Sequence, residues 1–499
     1  MHAANRKVNR AAAPRFGMTI RGPGPNISCM GKRKGKACGN CRRLEQQLAT
    51  LQAKVEQLEQ QLAAARKNST TSSKPPSSDI VKPPRPQADP ADGPRPPGGQ
   101  PGHAKHDRTP FADELLAKTC DYRLDVCPDC GGPLRPSGAA PRLTEQVDVP
   151  TMPLHIERHR QHESYCPCCA KSFRAPLPNP VAKGGLLGPN LTALVAFLKG
   201  ACHASYSTVR KFLRDIVQVK VSRGYLAKVV AKVSAALERP YTELLHLLPH
   251  EDHLNVDETG HKDKKRLFWT WCFRAELYTL FKIAPSRSAE VLLDVLGTEF
   301  DGVLGCDYFS AYRRYMRECD VAVQFCLAHF IREVKYLQTL PDARDRAYGT
   351  QLREGLRRLF GVIHQREQWS AAEFQRRLQA AREDVLWRAT HVLPETAAAR
   401  RLAERMLKHG ASYFRFVTTP GVEPTNNLAE QAIRFVVIDR LITQGTRSAT
   451  GQRWCERIWT VIATCAQQGR SVYEFLCAAV EQWFAAQPGP SLLDPEAAA

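Results

Sequence analysis

The sequence has 499 residues, of which 43% are hydrophobic, and this predicts about three globular domains with buried cores. Lysine and arginine number 71 against 50 acidic residues, and the net charge of +21 favours a polyanionic partner, DNA or RNA first. No segment has the pattern of a signal peptide or a membrane span, so we expect a cytoplasmic protein without membrane contact. In that compartment the 17 cysteines are expected to be thiols or metal ligands rather than disulfides.

The first part of the chain alternates between disordered and helical patterns. Residues 1–43 are basic and interrupted by glycine and proline, which predicts a disordered tail. Residues 44–66 carry an apolar repeat with the spacing of a dimerising coiled coil, although an ordinary amphipathic helix fits the same pattern. Residues 67–115 are rich in proline, serine and glycine and are predicted to be an extended linker. The repeat consists of Leu44, Leu48, Leu51, Val55, Leu58 and Leu62.

Two Cys-x2-Cys pairs lie in the next segment, residues 116–180. Four thiolates suit a closed tetrahedral zinc site, and the sequence between the pairs alternates like the strands of a zinc ribbon. We therefore predict a zinc-binding domain with one structural Zn²⁺; unpaired thiols are the alternative. The predicted ligands are Cys127, Cys130, Cys166 and Cys169.

A helical pattern follows over residues 181–250, with a break before Ser222. The pattern resembles a helix-turn-helix, which would direct Arg223, Tyr225 and Lys228 towards DNA. Two packed helices without a role in DNA binding fit the same residues.

Residues 251–340 have the element order β-β-β-α-β, and an aspartate lies at the predicted end of the first and of the fourth strand. This order is that of a ribonuclease H-like core, in which those two strands are neighbours. We therefore expect Asp257 and Asp307 to lie close together. The predicted elements cover residues 253–260, 266–275, 277–284, 286–297 and 302–312.

Two neighbouring carboxylates need a cation, because like charges at short range disfavour ionisation. Oxygen ligands and a phosphodiester substrate favour Mg²⁺, and a third carboxylate on a later helix would complete such a site. Glu430 lies in the first turn of a predicted helix and is our candidate, although it also fits a capping partner of Asn427. Glu258 and Glu423 remain alternative ligands.

The rest of the chain is predicted to be mainly helical. Residues 341–420 are amphipathic and arginine-rich and predict an inserted helical domain, residues 421–470 complete the core, and residues 471–499 form a C-terminal helix and tail. The fold class is therefore multidomain α+β, with an inserted helical domain in an α/β core.

Several motifs in this order resemble bacterial transposases of the insertion sequence 66 family, which have a DDE ribonuclease H-like core. The resemblance covers most of the chain and rests on the leucine-repeat helix, both Cys-x2-Cys pairs, and the stretches "SSKPPSSD" (72–79), "PPGGQPGH" (96–103), "VDETG" (256–260), "CDYFSAY" (306–312), "CLAHFIRE" (326–333) and "EPTNNLAEQAIR" (423–434).

The resemblance implies that Asp257, Asp307 and Glu430 are catalytic acids that bind Mg²⁺ or Mn²⁺. It implies supporting roles near these acids for Cys326, His329, Asn426, Asn427 and Arg434, with His329 expected on an apolar strand. Gln431 and Leu441 depart from the family pattern, in which arginine and lysine are common at these positions.

The implied activity is DNA transposition. Such a protein binds the terminal inverted repeats of its mobile element, cleaves DNA strands and transfers the 3′-hydroxyl ends to target DNA. It acts in the nucleoid as a homo-oligomer, with or without accessory proteins of the same element. The alternatives are a non-catalytic zinc and coiled-coil DNA-binding regulator, and a structure-specific nuclease that cuts without joining.

Overall fold

The computed structural model describes most of the chain after residue 175 and shorter parts before it. The chain divides into two compact units, residues 1–62 and 63–499. The described residues are 39–65, 112, 114, 129, 155–161, 163–166, 171–174, 176–392 and 394–493.

The leucine repeat forms one continuous helix, α1, over Gly39–Ala65. This confirms the predicted helix. The six apolar residues of the repeat are 50 to 62% exposed, so the chain by itself leaves the whole seam in contact with solvent. Pairing of this seam in a coiled coil stays a prediction.

A short hairpin lies in the predicted zinc-binding segment. Strands β1 (Glu163–Cys166) and β2 (Lys171–Arg174) pair antiparallel. Cys127, Cys130 and Cys169 lie outside the described residues, and Cys166 is described only by its backbone in β1. The zinc site and its ribbon therefore stay predictions.

A five-stranded mixed sheet organises the larger unit. Its spatial order is β5-β4-β3-β6-β7, with β3, β4 and β5 antiparallel and with β6 and β7 parallel to β3. The prediction that the first and fourth strands of this region are neighbours is therefore confirmed. The strands are β3 (His253–Asp263), β4 (Arg266–Arg274), β5 (Thr279–Ala284), β6 (Val303–Cys306) and β7 (Ala322–Phe325).

The position of Asp257 within its strand differs from the prediction. Strand β3 continues six residues beyond it to Asp263, because Asp257 pairs with Cys272 in a long hairpin with β4. Pairing with β6 is shorter and ends at Asn255. Asp257 is therefore mid-strand on the β4 side, yet it lies just past the end of the strand pairing on the β6 side.

Between β2 and β3 the described residues form the helices α2 (Asn179–Gly184), α3 (Pro189–Gly200), α4 (Tyr206–Asp215), α5 (Arg223–Ala236) and α6 (Glu238–Leu247). The predicted break before α5 is confirmed, since the Ser222 side chain caps that helix by accepting a hydrogen bond from the Tyr225 N–H at 3.1 Å. Helix α5 also packs against α3 and α6. The predicted helix-turn-helix pair, α4 and α5, is therefore part of a larger packed group of helices.

One described stretch, Asn179–Gly200, has the length and apolar composition of a membrane span. The chain turns within it, because Gly185 takes a positive φ of 71° between α2 and α3. Helix α3 has 12 residues and is about 18 Å long, shorter than the roughly 30 Å of a bilayer core. The stretch therefore forms two short helices, of which α3 packs against α5.

The remaining helices surround the sheet. Helices α10, α11 and α12 fall in the predicted insertion and pack against one another, while α13 packs on β3 and β4. The boundaries of the predicted domains stay predictions. These helices are α7 (Ala289–Leu296), α8 (Ser310–Cys319), α9 (Leu327–Leu337), α10 (Ala343–His364), α11 (Ala371–Thr390), α12 (Ala397–Tyr413), α13 (Asn427–Thr443), α14 (Ala449–Gln468) and α15 (Val472–Phe484).

Helix α14 covers the β5 edge of the sheet with polar side chains. An edge strand carries backbone N–H groups without a partner strand, and these need other acceptors when they are buried. Side chains at four-residue spacing on α14 supply them. The bonds run from Thr279 N–H to Thr464 Oγ1 at 3.2 Å, from Phe281 N–H to Thr460 Oγ1 at 3.1 Å, and from Ile283 N–H to Glu456 Oε1 at 2.7 Å.

Candidate active site

The carboxyl ends of three parallel strands meet at one place. Asn255 of β3 is in register with Gly305 of β6, so the residues two positions further along each strand, Asp257 and Asp307, reach equivalent positions. Strand β7 follows in the same direction, and the N–H of Cys326 donates to the carbonyl of the residue before Asp307 at 2.8 Å. The prediction that the two aspartates come together is in accord with this register.

The two aspartates lie in a strongly acidic surrounding. Burial raises the pKa of Asp257 well above its ordinary value, and the charges of Glu258, Asp307 and Glu430 raise it further. Burial and then Glu258 raise the pKa of Asp307 to about 6. Backbone N–H donors, one to each aspartate, oppose these shifts without cancelling them. Asp257 and Asp307 are both half-buried residues.

Glu258 was an alternative ligand, but both of its oxygens are already bonded to protein groups. Its side chain is 1% exposed, one oxygen accepts from Arg287 Nε at 2.6 Å, and the other accepts from the Tyr312 hydroxyl. The guanidinium of Arg287 also lies 3.8 Å from the centre of the Phe309 ring. Sequence reasoning missed Arg287 and Tyr312, since no local pattern links them to Glu258.

The helix that carries Glu430 begins differently from the prediction. Asn426, not Asn427, is the N-cap of α13, and its side chain makes no capping hydrogen bond. The Asn426 side chain instead accepts from Asn255 Nδ2 at 3.0 Å and donates to the Val256 carbonyl at 2.8 Å. Asn426 therefore attaches the start of α13 to β3, two residues before Asp257. Asn427 is exposed in the first turn.

Gly305 leaves room for this attachment. A Cβ atom at this position would lie 2.6 Å from Asn255 Nδ2, the donor to Asn426. Any side chain on β6 here would displace the amide that joins the first strand to α13. A glycine is thus required here because the Asn255 side chain lies so close to the backbone of β6, and not because of the φ angle.

The Glu430 carboxylate faces helix α9 and does not reach back to the N-cap. Its Oε1 atom lies 3.4 Å from Arg332 Nη2 and 3.5 Å from His329 Nδ1. Burial raises the pKa of Glu430, and the charges of Arg332 and Arg434 lower it in part. The alternative in which Glu430 is a capping partner is therefore not supported, and Arg332 is a neighbour that the sequence analysis did not single out.

His329 lies on helix α9 and not on a strand, which corrects the prediction. Arginine only donates hydrogen bonds, so the 3.1 Å contact from Arg332 makes Nε2 an acceptor and leaves the proton of the neutral ring on Nδ1. Burial, and then the charge of Arg332, lower the pKa of His329 to about 3, which keeps the ring neutral. Its Nδ1–H points at Glu430 without forming a hydrogen bond to any described residue.

Cys326 joins the end of β7 to the start of α13. Its sulfur accepts from the Asn426 N–H at 3.1 Å, and the next N–H, of Leu327, donates to the Pro424 carbonyl at 3.0 Å. Burial raises the pKa of Cys326 to about 11, so the sulfur is a neutral thiol. Cys326 therefore positions the loop before Glu430.

Metal-ligand atoms lie close together around Glu430. Among the described residues, the group of three such atoms within 4.8 Å of one another belongs to Cys326, His329 and Glu430. Binding of a metal ion by this trio would require loss of the thiol proton and a shift of the ring proton away from Nδ1. The carboxylates of Asp257, Asp307 and Glu430 offer the oxygen ligands that a hard divalent cation prefers. Burial is the largest cause of the raised pKa of each of them.

The residues predicted to contact DNA on α5 lie apart from this cluster in sequence and differ in exposure. Arg223 and Lys228 are exposed, whereas Tyr225 is half-buried and its hydroxyl is buried without a hydrogen bond to described residues. Tyr225 is therefore placed for packing as much as for recognition. The role of all three residues in DNA binding stays a prediction.

Comparison with known proteins agrees with this geometry. The family model described as Transposase IS66 family matches residues 184–453, more than half of the chain, including the whole sheet and α13. A family of unknown function (DUF6444) matches residues 28–109, which include α1. No curated protein matches the chain. The match over the sheet and its acid cluster shows that the chain belongs to the IS66 family of transposases.

Proposed function

We propose that this transposase cleaves DNA strands at the terminal inverted repeats of its element and joins the freed 3′-hydroxyls to target DNA. The proposed catalytic acids are Asp257, Asp307 and Glu430, in a core of the ribonuclease H type. The observation that carries the proposal is the parallel register of β3 and β6, which aligns the two aspartates beside the charge of Glu430.

The three carboxylates would hold Mg²⁺ or Mn²⁺. When bound, such a cation lowers the pKa of an attacking water and neutralises charge that develops at the phosphodiester. The protein's own groups hold the acids in place: Asn426 fixes the start of α13, and Arg332 contacts Glu430. His329 holds a proton at Nδ1 beside the same carboxylate.

The test is cleavage of a labelled DNA end that carries the inverted repeat, with Mg²⁺ or Mn²⁺. Asp257→Asn, Asp307→Asn and Glu430→Gln should each lose cleavage by about a thousandfold or more, since the three acids act as a unit. Glu423→Gln is the matched control, because Glu423 is an exposed acid at the start of the same motif and should cut like wild type. Wild-type cleavage by folded Glu430→Gln protein would remove Glu430 from the site.

The same assay separates the two other candidate functions. A structure-specific nuclease would cut the labelled end but never join it to a target plasmid. A DNA-binding regulator would bind the repeat and would not cut it in any metal. Joined products that depend on all three acids favour the transposase over both.

The finer N-terminal features are part of the proposal. We propose that α1 pairs with a second copy through its leucine seam, because this seam is exposed along its whole length. Leu51→Lys with Leu58→Lys should then lower the mass seen in sedimentation without unfolding the sheet domain. One Zn²⁺ on the four predicted cysteines should be lost on Cys127→Ser. Nucleoid association in the cytoplasm is part of the same proposal, with or without accessory proteins of the element.

A further inference from the structure

Two cavities lined by arginine lie along helix α8, outside the acid cluster. The first lies between the starts of α7 and α8 and includes Arg287, Arg313, Arg314 and Arg317. The second lies where α8 and the start of β7 meet α12, and it is also lined by Arg313 and Arg317. Arg313 and Arg317 line both cavities, so the two cavities are neighbours on one basic surface. We call the surface formed by both cavities the basic groove. Its basic residues are Arg287, Arg313, Arg314, Arg317, Lys408 and Arg415.

Most of the charge in the basic groove is not balanced by acids. The Nε atoms of Arg313 and Arg415 are buried and have no hydrogen-bond partner among the described residues. Lys408 makes no ion pair with any described residue, and Arg317 approaches only Glu318, at 3.9 Å. Two members are neutralised, Arg287 by Glu258 and Arg314 by Glu290 and Glu318, and Asp320 is the acid in the lining of the second cavity.

The groove starts beside the acid cluster and leads away from it. Arg287 binds Glu258, the residue after Asp257, and Ser310 in the lining lies three residues after Asp307. Helix α8 has 10 residues and is about 15 Å long, a length that matches about four nucleotides of one duplex strand. A row of cations of this length suits a chain of phosphates better than one small anion.

We propose that the basic groove binds the phosphodiester backbone of one DNA strand as it leaves the acid cluster. This inference rests on the proposed function and adds a DNA-binding surface separate from helix α5. The contacts are charge contacts to phosphates, so they set affinity and strand position and do not read sequence. Arg313 also stacks on Tyr308, with its guanidinium 4.5 Å from the ring centre, and this stacking connects the groove to the residue after Asp307.

The test uses a pair of exposed groove residues and a matched pair elsewhere. Arg317→Gln with Lys408→Gln removes two charges from the groove, while Arg239→Gln with Arg453→Gln removes two exposed charges from α6 and α14. Those two helices pack on β5, the edge of the sheet opposite β7. Melting temperatures of both variants establish that each is folded.

Binding of a fluorescent 30-base-pair duplex is measured over a series of salt concentrations. The groove pair should raise the Kd about tenfold at about 0.1 M salt and reduce the slope of log Kd against log salt by about two, one for each lost phosphate contact. The matched pair should change the Kd less than about twofold and leave the slope unchanged. Equal effects of the two pairs, or an unchanged slope for the groove pair, would overturn the proposal.

Two further outcomes separate related ideas. A pocket for free phosphate would appear as stabilisation by inorganic phosphate that depends on Arg317 and Lys408, with DNA affinity unchanged, and this also overturns the proposal. If both variant pairs behave alike while the wild-type protein binds and cuts DNA, the basic groove does not bind DNA and the proposed function still stands. If the wild-type protein does not bind DNA at all, both the groove proposal and the proposed function are wrong.

Discussion

The β5 edge of the sheet and the carboxyl ends of β3, β6 and β7 differ in how their buried polar groups are satisfied. At the β5 edge, three backbone N–H groups each find an acceptor on α14. At the carboxyl ends, Asp257 and Asp307 are half-buried, and burial followed by the charge of Glu258 raises the pKa of both. Buried polar groups stabilise a fold when they are paired and destabilise it when they are not. The first region therefore contributes stability, whereas the second costs stability, as expected for the proposed ion-binding acids.

The sharpest test of this contrast is Asp307→Asn. Its cleavage rate should fall at least about a thousandfold, equivalent to about 4 kcal/mol, because a charged oxygen ligand is lost. Without metal its melting temperature should rise, because like-charge repulsion is relieved. Thermal melts with and without Mn²⁺ check this: wild type should gain stability from the ion, and the variant should not. A variant that melts lower than wild type in metal-free buffer would show that the acids are stabilising.

Arg287→Met tests the ion pair of Glu258, the acid that follows Asp257. Glu258 would remain buried without its cation, and this should cost about 3 kcal/mol of unfolding free energy. Adding Glu258→Gln should recover most of the loss, because the unpaired charge is then gone. Denaturant unfolding of the two single variants and the double variant measures the coupling. Additive losses would contradict a direct pair.

His261 is a buried neutral group whose hydrogen bonds are satisfied, and its contribution to stability should depend on pH. It is 1% exposed and bonds Thr446 at 2.9 Å, and burial followed by the charge of Arg440 lowers its pKa to about 4. The unfolded chain binds its proton near pH 6.5, so stability is present above that pH and is lost as pH falls towards 4. Between about pH 7.5 and about pH 5, wild type should lose about 2 kcal/mol more than His261→Gln. Parallel losses in the two proteins would contradict the shift.

Thr460→Val gives the smallest expected effect, at the β5 edge. The Phe281 N–H loses its acceptor while side-chain volume is kept, and the cost should be about 1 kcal/mol. Thr443→Val is the control, because the Thr443 hydroxyl bonds a carbonyl of its own helix and its loss leaves no backbone donor unpaired. Denaturant midpoints check both variants, and cleavage should be unchanged in both. Equal costs would show that edge protection is not the reason for the α14 threonines.

Local patterns predicted the strand order well and individual positions less well. The stretch around His329 alternates apolar residues over a few positions, and such short runs fit a strand or a helix equally. The structure ends β7 at Phe325 and starts α9 two residues later. The capping alternative for Glu430 is not supported for a similar reason, since a local motif cannot reveal that Arg332, 98 residues away in sequence, lies beside the same carboxylate.

The adjacency of the first and fourth strands was predicted from the likeness of the element order to a ribonuclease H-like core. By itself, the sequence determined that order and the helix of the leucine repeat. These depend on periodicity and on short-range stereochemistry, which are written locally in the chain. Only the tertiary structure decided which acids are paired and which are not. Glu258 and Asp257 are adjacent in sequence, yet Glu258 is neutralised by Arg287 from another element while Asp257 keeps the repulsion of Asp307 and Glu430. Electrostatic pairing depends on distance in space, which the order of residues does not specify.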